Sequence, residues 1–367
     1  MRILIAPDKF KGSLTAPAAA SAIAAGWQRA RPGDDLCLLP ITDGGDGFGD
    51  VVGGLLGAQE RSVPTLDAAR RPRPSRWAWA EATRTAVVES AESIGLALLP
   101  PGRFHPYELD TRGLGLVLRA VAESGGTRCL VGVGGSATND GGFGLARALG
   151  WHFTDRLGAD LDRWTELQRL ECILRPAQPV ALGEVTVAVD VRNPLLGPQG
   201  CARIYGPQKG LLPEDFDLAE RCLGRLAEVA HREKLGVASE TPGAGAAGGL
   251  GFGLAAFVGA RLEPGFQLFA ELAGLTARVR ASELVLTGEG SLDASSLMGK
   301  GVGELAVLCR QAGVPCAALA GVVDRAAAGD WFSEALALTP DLTSPAAARA
   351  DAAHWLAVAA ERLAAQF

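Results

Sequence analysis

Short apolar runs that end in Asp, Gly or Pro recur along this chain, and alanine-rich stretches of helical length separate several of them. The apolar runs cover residues 2–8, 36–47, 128–135, 185–194, 283–290 and 315–324. The alanine-rich stretches cover residues 15–29, 113–124, 303–312 and 345–365. This alternation predicts an α/β fold with parallel strands. Because ligands of such sheets bind beyond the carboxyl ends of the strands, we expect the Asp and Gly residues there to form a site.

The length of 367 residues predicts two domains. Residues 60–95 alternate between apolar and polar side chains around a Pro/Arg turn, which predicts an antiparallel hairpin at the start of an inserted domain. We therefore assign residues 1–59 and 272–367 to one discontinuous domain and residues 60–271 to the insertion. The runs 92–104 and 193–213 are predicted as loops or crossings, and 242–253 as a structured loop before a helix.

The composition excludes several classes of protein. A hydrophobic fraction of 48%, a charged fraction of 21% and a net charge of -6 describe a globular protein without a nucleic-acid footprint or an affinity for anionic membranes. No apolar run is long enough to span a bilayer, and the N-terminus does not resemble a signal peptide. The seven cysteines form no CxxC pair, so we expect reduced thiols and a cytoplasmic protein, monomeric or homodimeric.

The stretch GVGGSATNDGG, residues 132–142, follows an apolar run and is rich in both glycine and polar side chains. Successive bare N–H groups can form an anion-binding nest, and hydroxyl groups can add donors. One alternative is a tight strand-to-helix turn in which Asn139 or Asp140 caps the helix. Another is the dinucleotide fingerprint, which GVGGSA fits with Asp155 at a suitable distance, although the Gly141-Gly142 pair opposes a helix there. The nest residues are Gly134, Gly135, Ser136, Thr138, Asn139 and Asp140.

Acidic and basic residues follow four other apolar runs. In APDKFKGSLTA a strand end is followed by Asp8, Lys9 and Lys11, and Gly12-Ser13 is predicted to open a helix. In TDGGDG, two carboxylates flank glycines and could hold Mg²⁺ or bind substrate hydroxyls. The run VTVAVD ends in an aspartate and is followed by RNPLLG and GPQKG, while TGEGSLDASSLMGKG carries two acids and a lysine without forming a Walker A loop. The residues of these last three segments are Asp43, Asp46, Asp190, Arg192, Glu289, Asp293 and Lys300.

The combined inventory indicates phosphoryl transfer. That reaction requires positioning, positive charge and Mg²⁺ around the migrating phosphoryl group, and it needs no covalent nucleophile. The chain offers carboxylates, lysines and glycine loops at strand ends, and its four histidines show neither metal-ligand spacing nor the pattern of a nucleophile–histidine pair.

With these motifs in place, the sequence resembles the type-1 glycerate kinase family. APDKFKGSLTA, TDGGDG, GVGGSATNDGG, DVRNPLLG with GPQKG, GAGAAGGLG and TGEG…D…GK occur in the family's order. The resemblance implies ATP- and Mg²⁺-dependent phosphorylation of D-glycerate, usually to 2-phosphoglycerate. It also implies a flavodoxin-like domain built from both chain ends and an inserted α/β domain with a restriction-endonuclease-like fold.

Three positions depart from the family's pattern. The family usually reads DGGEGT, where this chain has Asp46 and Phe48, and it commonly carries a glutamine at the position of Ser295. Aspartate keeps the charge but has a shorter reach. If Phe48 and Ser295 touch the acceptor, these changes alter acceptor choice slightly while the core chemistry survives.

These observations assign a role to each residue in a kinase site between the two domains. ATP phosphates lie against the Gly134–Ser136 nest and the 245–251 loop, which includes Gly248 and Gly249. Lys9 and Lys300 neutralise the transferred phosphoryl, and Asp190 accepts the hydroxyl proton or holds Mg²⁺. The substrate and metal set comprises Asp8, Lys11, Ser13, Asp43, Asp46 and Arg192, and the cleft is completed by Glu289 and Asp293.

Two other functions compete with the kinase. An NAD-dependent oxidoreductase would use the GVGGSA turn and Asp155. A non-catalytic sensor of sugar acids would keep the fold without turnover, but every acidic and basic position that we consider chemical is present.

Overall fold

The structure is a computed structural model that describes residues 1–294, 296 and 301–367, together with the side chains of these residues except those of Ala327 and Asp330. The strands are β1 (Arg2–Ile5), β2 (Asp35–Leu38), β3 (Gln59–Leu66), β4 (Pro72–Ala80), β5 (Thr85–Glu89), β6 (Arg128–Gly132), β7 (His152–Thr154), β8 (Cys172–Leu174), β9 (Glu184–Val189), β10 (Arg261–Pro264), β11 (Leu284–Leu292), β12 (Cys316–Val323) and β13 (Glu334–Thr339).

The helices are α1 (Ala16–Ala30), α2 (Phe48–Leu55), α3 (Ala91–Ile94), α4 (Arg112–Glu123), α5 (Phe143–Ala148), α6 (Cys201–Ile204), α7 (Gly206–Lys209), α8 (Phe216–Arg232), α9 (Ala246–Val258), α10 (Gly265–Leu272), α11 (Leu275–Ala281), α12 (Gly301–Ala312), α13 (Arg325–Ala328), α14 (Pro345–Ala350) and α15 (Ala352–Ala364). Short 3₁₀ turns cover Glu81–Thr83, Leu96–Leu98, Pro106–Glu108, Trp164–Arg169, Pro213–Asp215 and Gly329–Trp331. In the part of the chain that the structure describes, no helix combines the length and the apolar character needed to cross a membrane.

The chain divides into two compact units, and the first comprises Met1–Asp43 and Phe266–Phe367. Its sheet has the order β2-β1-β11-β12-β13, with every adjacent pair parallel. Numbered within the sheet, this is the order 2-1-3-4-5 of doubly wound proteins of the flavodoxin type. The predicted α/β class with parallel strands is therefore confirmed.

Small side chains let two helices of the first unit approach closely. Thr15 caps the N-terminus of α1 by accepting a hydrogen bond from the N–H of Ala18, and Pro17 occupies the first turn. A Cβ at Gly26 would overlap the carbonyl oxygen of Ala357 on α15. The backbones of α1 and α15 consequently pack almost in contact, over a core that includes Ile23 and Trp27.

The second unit comprises Gly44–Gly265 and contains a mixed sheet in the order β3-β4-β5-β6-β9-β10. β3, β4 and β5 are antiparallel, so the predicted hairpin is confirmed, whereas β5, β6, β9 and β10 are parallel. β7 and β8 form a separate antiparallel pair. That this unit has a restriction-endonuclease-like fold stays a prediction.

The boundaries between the compact units lie after Asp43 and after Gly265, whereas the sequence predicted boundaries after residues 59 and 271. Helix α2 explains the first difference, because its side chains pack against the second unit's sheet. A Cβ at Gly132 of β6 would come within 2.6 Å of Cγ of Phe48, and one at Gly53 would come within 3.2 Å of Cβ of Ala78. The division into functional domains itself stays a prediction.

Several local expectations are corrected. The stretch 345–365 forms two helices because the backbone of Asp351 leaves helical geometry (φ -141°) and its side chain caps α15 at the N–H of His354. The runs 92–104 and 193–213 contain the short helices α3, α6 and α7. Helix α1 begins at Ala16 rather than at Gly12-Ser13, because Gly12 lies in a left-handed turn (φ +78°) that the Phe10–Leu14 bridge closes.

Candidate active site

Three neighbouring parallel strands of the second unit end beside one another. β5 ends at Glu89, β6 ends at Gly132, and β9 is followed directly by Asp190. The register pairs Glu89 with Gly132 and Gly132 with Ala188, so these carboxyl ends share one edge of the sheet. The predicted placement of acidic and glycine residues at strand ends is thereby confirmed, while their chemical roles stay predictions.

The loop 132–142 packs directly against residues 44–47, the part of TDGGDG that belongs to the second unit. A Cβ at Gly134 would lie 2.5 Å from Cα of Gly45, and one at Gly135 would overlap Oδ1 of Asp46. The N–H of Gly134 donates to the carbonyl of Gly44 at 3.3 Å. A larger residue at position 135 would displace the Asp46 side chain, and the φ of +72° there favours glycine.

A second glycine loop, at the start of α9, closes on the same segment. Ala247, Gly248 and Gly249 have left-handed backbones, and a Cβ at Gly248 would overlap the carbonyl oxygen of Thr138. The N–H of Gly141 donates to the carbonyl of Gly248 at 3.1 Å. The two loops that the sequence predicted to bind nucleotide are therefore brought together.

Asp140 holds the loop from inside. It is fully buried, and its Oδ2 accepts bonds from the N–H of Thr111 at 2.9 Å, from Oγ1 of Thr111 at 2.8 Å and from the N–H of Gly144 at 2.9 Å. Burial is the main cause that raises the pKa of this carboxyl to about 6, and the nearby Asp110 adds to it. Gly142 is the N-cap residue of α5, and the bond from Gly144 shows that the Asp140 side chain satisfies an N–H of the first turn of this helix. Direct contact of Asp140 with the cofactor stays a prediction, and its oxygens already bind groups of the protein.

Two neighbouring polar side chains of the loop are buried. Thr138 and Asn139 are both 0% exposed. Among the described residues, Oγ1 of Thr138 and both amide atoms of Asn139 have no partner. Buried polar atoms are nearly always satisfied by protein, water or ligand. The loop therefore has polar capacity that its own fold does not use.

Lys209, at the end of α7, was not among the predicted site residues. Its ammonium donates to Oγ of Ser136 at 3.0 Å and to the carbonyl of Thr138 at 2.7 Å. Burial lowers the pKa of Lys209 to about 8, although Cys201, Asp140 and Asp190 favour the charged form. The GPQKG segment was the available signal, but nothing in its spacing indicated that the lysine points inward beneath another loop.

Glu89 is a second residue that sequence reasoning missed. Its two carboxylate oxygens accept bonds from the N–H groups of Gly47 and Gly49, each at 2.9 Å. Burial is the main cause that raises its pKa, and Asp46 contributes. Glu89 thus fixes the turn that carries Asp46 and positions the N-terminus of α2.

Asp190 is exposed at the end of β9, as is Arg192 two residues later. The following turn is held by Asn193, whose Oδ1 accepts a bond from the hydroxyl of Tyr205 at 2.6 Å. Burial and then Asp190 raise the pKa of Tyr205 to about 12. Asp190 therefore lies within electrostatic range of both Tyr205 and Lys209.

The first unit collects a separate group of predicted residues around Asp8. The N–H of Lys9 donates to Oδ1 of Asp8 at 2.7 Å. Burial is the main cause that raises the pKa of Asp8 to about 7; the carboxylates of Asp43 and Glu289 add to it, and the Lys9 charge opposes it. The structure thus brings together Asp8, Lys9, Asp43 and Glu289, which come from three separate segments of the sequence.

The other predicted residues of this unit have more local contacts. The hydroxyl of Ser13 donates to the carbonyl of Phe10 at 3.2 Å within the turn, and Lys11 is exposed. The side chain of Asp293 accepts from the hydroxyl of Ser291 at 3.4 Å. Lys300 and Ser295 lie outside the described residues.

The group around Asp8 suits Mg²⁺ by its donor chemistry. Carboxylates are the protein ligands that Mg²⁺ prefers, and the repulsion that Asp43 and Glu289 exert on Asp8 is the kind that a cation relieves. Within residues 1–294, 296 and 301–367, no three acidic, His or Cys side chains converge on a ready-made metal site.

We expect Asp8→Asn to stabilise the protein at pH 8 and to do so less at pH 5. The pKa of Asp8 is about 7 in the folded protein, whereas its ordinary value is 3.8, so the folded state binds the proton more tightly and loses stability as the pH rises between these values. Removing the charge should raise the free energy of unfolding by about 2–4 kcal/mol at pH 8. The measurement is calorimetric melting at both pH values, with the exposed Asp35→Asn of β2 as control. A loss of stability in Asp8→Asn at pH 8 would contradict this interpretation.

Comparisons with known proteins agree with this architecture. A family model described as the glycerate kinase family matches residues 3–367. The glycerate kinase of Bacillus subtilis (strain 168) is 36% identical over 332 residues, which is 89% of this chain and 86% of that protein. The glycerate 2-kinase of Escherichia coli (strain K12) is 36% identical over 304 residues, covering 82% of this chain and 80% of that protein. A crystal structure provisionally described as glycerate kinase 2 from Salmonella typhimurium LT2 is 30% identical with a TM-score of 0.86, covering 100% of this chain and 98% of that one.

Parallel strands whose carboxyl ends carry glycine loops and carboxylates are typical of α/β enzymes. The chain belongs to the glycerate kinase family. It is accordingly a kinase that transfers phosphate to an alcohol group.

The oxidoreductase alternative is not favoured. Its helix would have to begin within GVGGSA, but α5 begins only at Phe143. Asp155 sits in an exposed turn, where its Oδ1 accepts bonds from the N–H groups of Leu157 and Ala159.

Proposed function

We propose that the protein phosphorylates D-glycerate with ATP and Mg²⁺ and that the product is 2-phosphoglycerate. The observation that carries the proposal is the meeting of the 132–142 and 245–251 loops above the buried ammonium of Lys209, with Asp190 in electrostatic range. Backbone N–H groups of such loops and a fixed positive charge suit the oxyanions of a nucleotide. The family and the names of the similar kinases support this choice of substrates.

In the proposed reaction the acceptor hydroxyl oxygen attacks the γ-phosphorus of ATP. The bond from the γ-phosphorus to the β–γ bridging oxygen breaks, and ADP leaves with that electron pair. Asp190 takes the hydroxyl proton, because it is an exposed carboxylate beside the loop that we assign to the phosphates. Lys9 neutralises charge on the transferred group, and Lys11 or Arg192 binds the substrate carboxylate.

Bound Mg²⁺ would neutralise the phosphates and help align them, held by Asp43 with Asp8. Glu289 lies within electrostatic range of Asp8 and adds negative charge near it. Asp190 stays the alternative metal ligand that the sequence left open. Location of the site in a cleft between the two domains stays a prediction.

The direct test is coupled detection of ADP release from the wild-type protein with MgATP and D-glycerate, followed by phosphorus NMR of the product. We expect saturable turnover with D-glycerate and a resonance from 2-phosphoglycerate. D-Lactate, which has the 2-hydroxyl alone, should serve as a slow acceptor, whereas 3-hydroxypropionate should not. A 3-phosphoglycerate product would overturn the regiochemistry, and saturable NADH binding without MgATP binding would overturn the kinase proposal as a whole.

A further inference from the structure

The ammonium of Lys209 is built into the second unit beneath the glycine loop. The residue is 7% exposed, and α7 is short and fixed at both ends, by Pro207 in its first turn and by left-handed Gly210 (φ +103°) after its last residue. Its two hydrogen bonds reach Oγ of Ser136 and the carbonyl oxygen of Thr138. A charged side chain therefore contacts the loop at two points from inside the protein.

The donors and acceptors at Ser136 show which way its hydroxyl group can donate. A serine hydroxyl can donate one hydrogen bond and accept two, and an ammonium can only donate. Because Lys209 donates to Oγ of Ser136, the hydroxyl hydrogen of Ser136 must point to some other acceptor. Among the described residues no bond donated by that hydroxyl is found, and only two of the three ammonium hydrogens are used. The pair therefore offers two unused donors, which is the complement of an oxyanion.

We propose that Lys209 is a positioning residue that aims the Ser136 hydroxyl at an oxyanion of the substrates and places a positive charge behind it. The inference rests on the proposed function and adds a residue to it. A phosphate of the nucleotide or the carboxylate of the hydroxy acid could supply the oxyanion, because both are acceptor-only anions.

A purely structural role accounts poorly for a lysine here. Desolvation destabilises its charged form more than the neighbouring groups stabilise it. The pKa is lowered to about 8 despite Cys201 on α6, Asp140 in the loop and Asp190 after β9. An apolar side chain of similar volume generally stabilises a fold more than a buried charge does. The charge is therefore expected to be retained for binding, at the expense of stability.

The test compares Lys209→Met, Ser136→Ala and the double variant in the ADP-release assay. We expect each single variant to lower kcat/KM by about 10- to 100-fold, the effect of losing a hydrogen bond to a charged group. The double variant should fall within about threefold of the worse single variant, because both changes remove one shared interaction. The melting temperature of Lys209→Met should equal or exceed that of the wild type. The control, Lys234→Met, removes an exposed lysine and should leave kcat/KM unchanged.

The substrate that binds more weakly to Lys209→Met is the one that supplies the oxyanion. Calorimetric titration of Lys209→Met with ATP alone and with D-glycerate alone separates the two: weaker ATP binding identifies a phosphate, and weaker glycerate binding identifies the carboxylate. Unchanged binding of both, or single effects that multiply in the double variant, would overturn the proposal. Absence of turnover in the wild type would instead count against the proposed function, whereas altered ATP binding in Lys209→Met would still support the role of Lys209.

A pH profile keeps the proposal testable if Lys209→Met fails to fold. In the wild type, kcat/KM should fall above about pH 8 as Lys209 loses its proton. Lys209→Arg keeps its charge throughout this range, so the fall should disappear. A wild-type profile that is flat from pH 7 to 9, or an identical fall in Lys209→Arg, would overturn the assignment.

Discussion

Asp190→Asn is expected to lower kcat by about 10²–10⁴-fold, the range typical of a lost general base. Asparagine has nearly the same shape as aspartate but cannot accept the hydroxyl proton. Since Asp190 is exposed at the end of β9, its replacement should leave the fold intact. Steady-state ADP release at saturating D-glycerate and MgATP measures the loss, and calorimetric melting confirms the fold.

The matched control for this change is Asp217→Asn. The Asp217 side chain is 79% exposed on α8 and pairs only loosely with Arg203, at 3.5 Å. Its replacement removes the same charge and should leave kcat within about twofold of the wild type, because exposed ion pairs contribute little. If Asp190→Asn turns over as fast as Asp217→Asn, Asp190 is not the base and the proposed proton transfer fails.

Gly248→Ala is expected to destabilise the protein by about 4 kcal/mol or more and to abolish turnover. The new methyl group would overlap the carbonyl oxygen of Thr138, at a position with φ +72° that alanine adopts reluctantly. The methyl group would overlap backbone atoms of Thr138, which cannot rotate away as a side chain could. The loops 132–142 and 245–251 would therefore have to separate. Urea denaturation measures the loss in the free energy of unfolding, and the ADP-release assay measures the loss of turnover.

Gly259→Ala separates this overlap from the cost of the backbone conformation. Gly259 ends the same helix, α9, with φ +69°, and nothing lies within 4 Å of a Cβ built there. Gly259→Ala should lower the free energy of unfolding by only about 1–2 kcal/mol and should leave kcat/KM unchanged. Equal stability and equal activity of the two alanine variants would show that the contact between the loops is not needed.

Much of the fold could be predicted because its central strands are buried on both faces. β1, β6, β9, β12 and the first half of β11 are mostly apolar runs bounded by Gly, Pro or Asp, which is the usual signature of parallel strands. The edge strands β10 and β13 lacked this signature and were not predicted. β10 has no fully buried residue, because a strand paired on one side needs little apolar surface.

The candidate site could be predicted only where a motif is continuous in the sequence. The loops at 132–142 and 245–251 were each identified by their glycines, although their mutual packing depends on positive φ angles that a sequence does not show. Lys209 and Glu89 were missed for a related reason. Each acts on a loop far away in the chain, Lys209 on Ser136 and Glu89 on Gly47, and no spacing rule links such positions.

The path of the chain through the two units has a consequence for biosynthesis. Every strand of the second unit's sheet lies between residues 59 and 264, whereas the first unit's sheet needs β1 and β2 from the beginning and β11, β12 and β13 from the last third of the chain. During translation the ribosome delivers all of the second sheet before β11 exists. The second unit can therefore fold before β1 and β2 acquire the other strands of their sheet, and helix α15, which packs on α1, is made only after β11, β12 and β13.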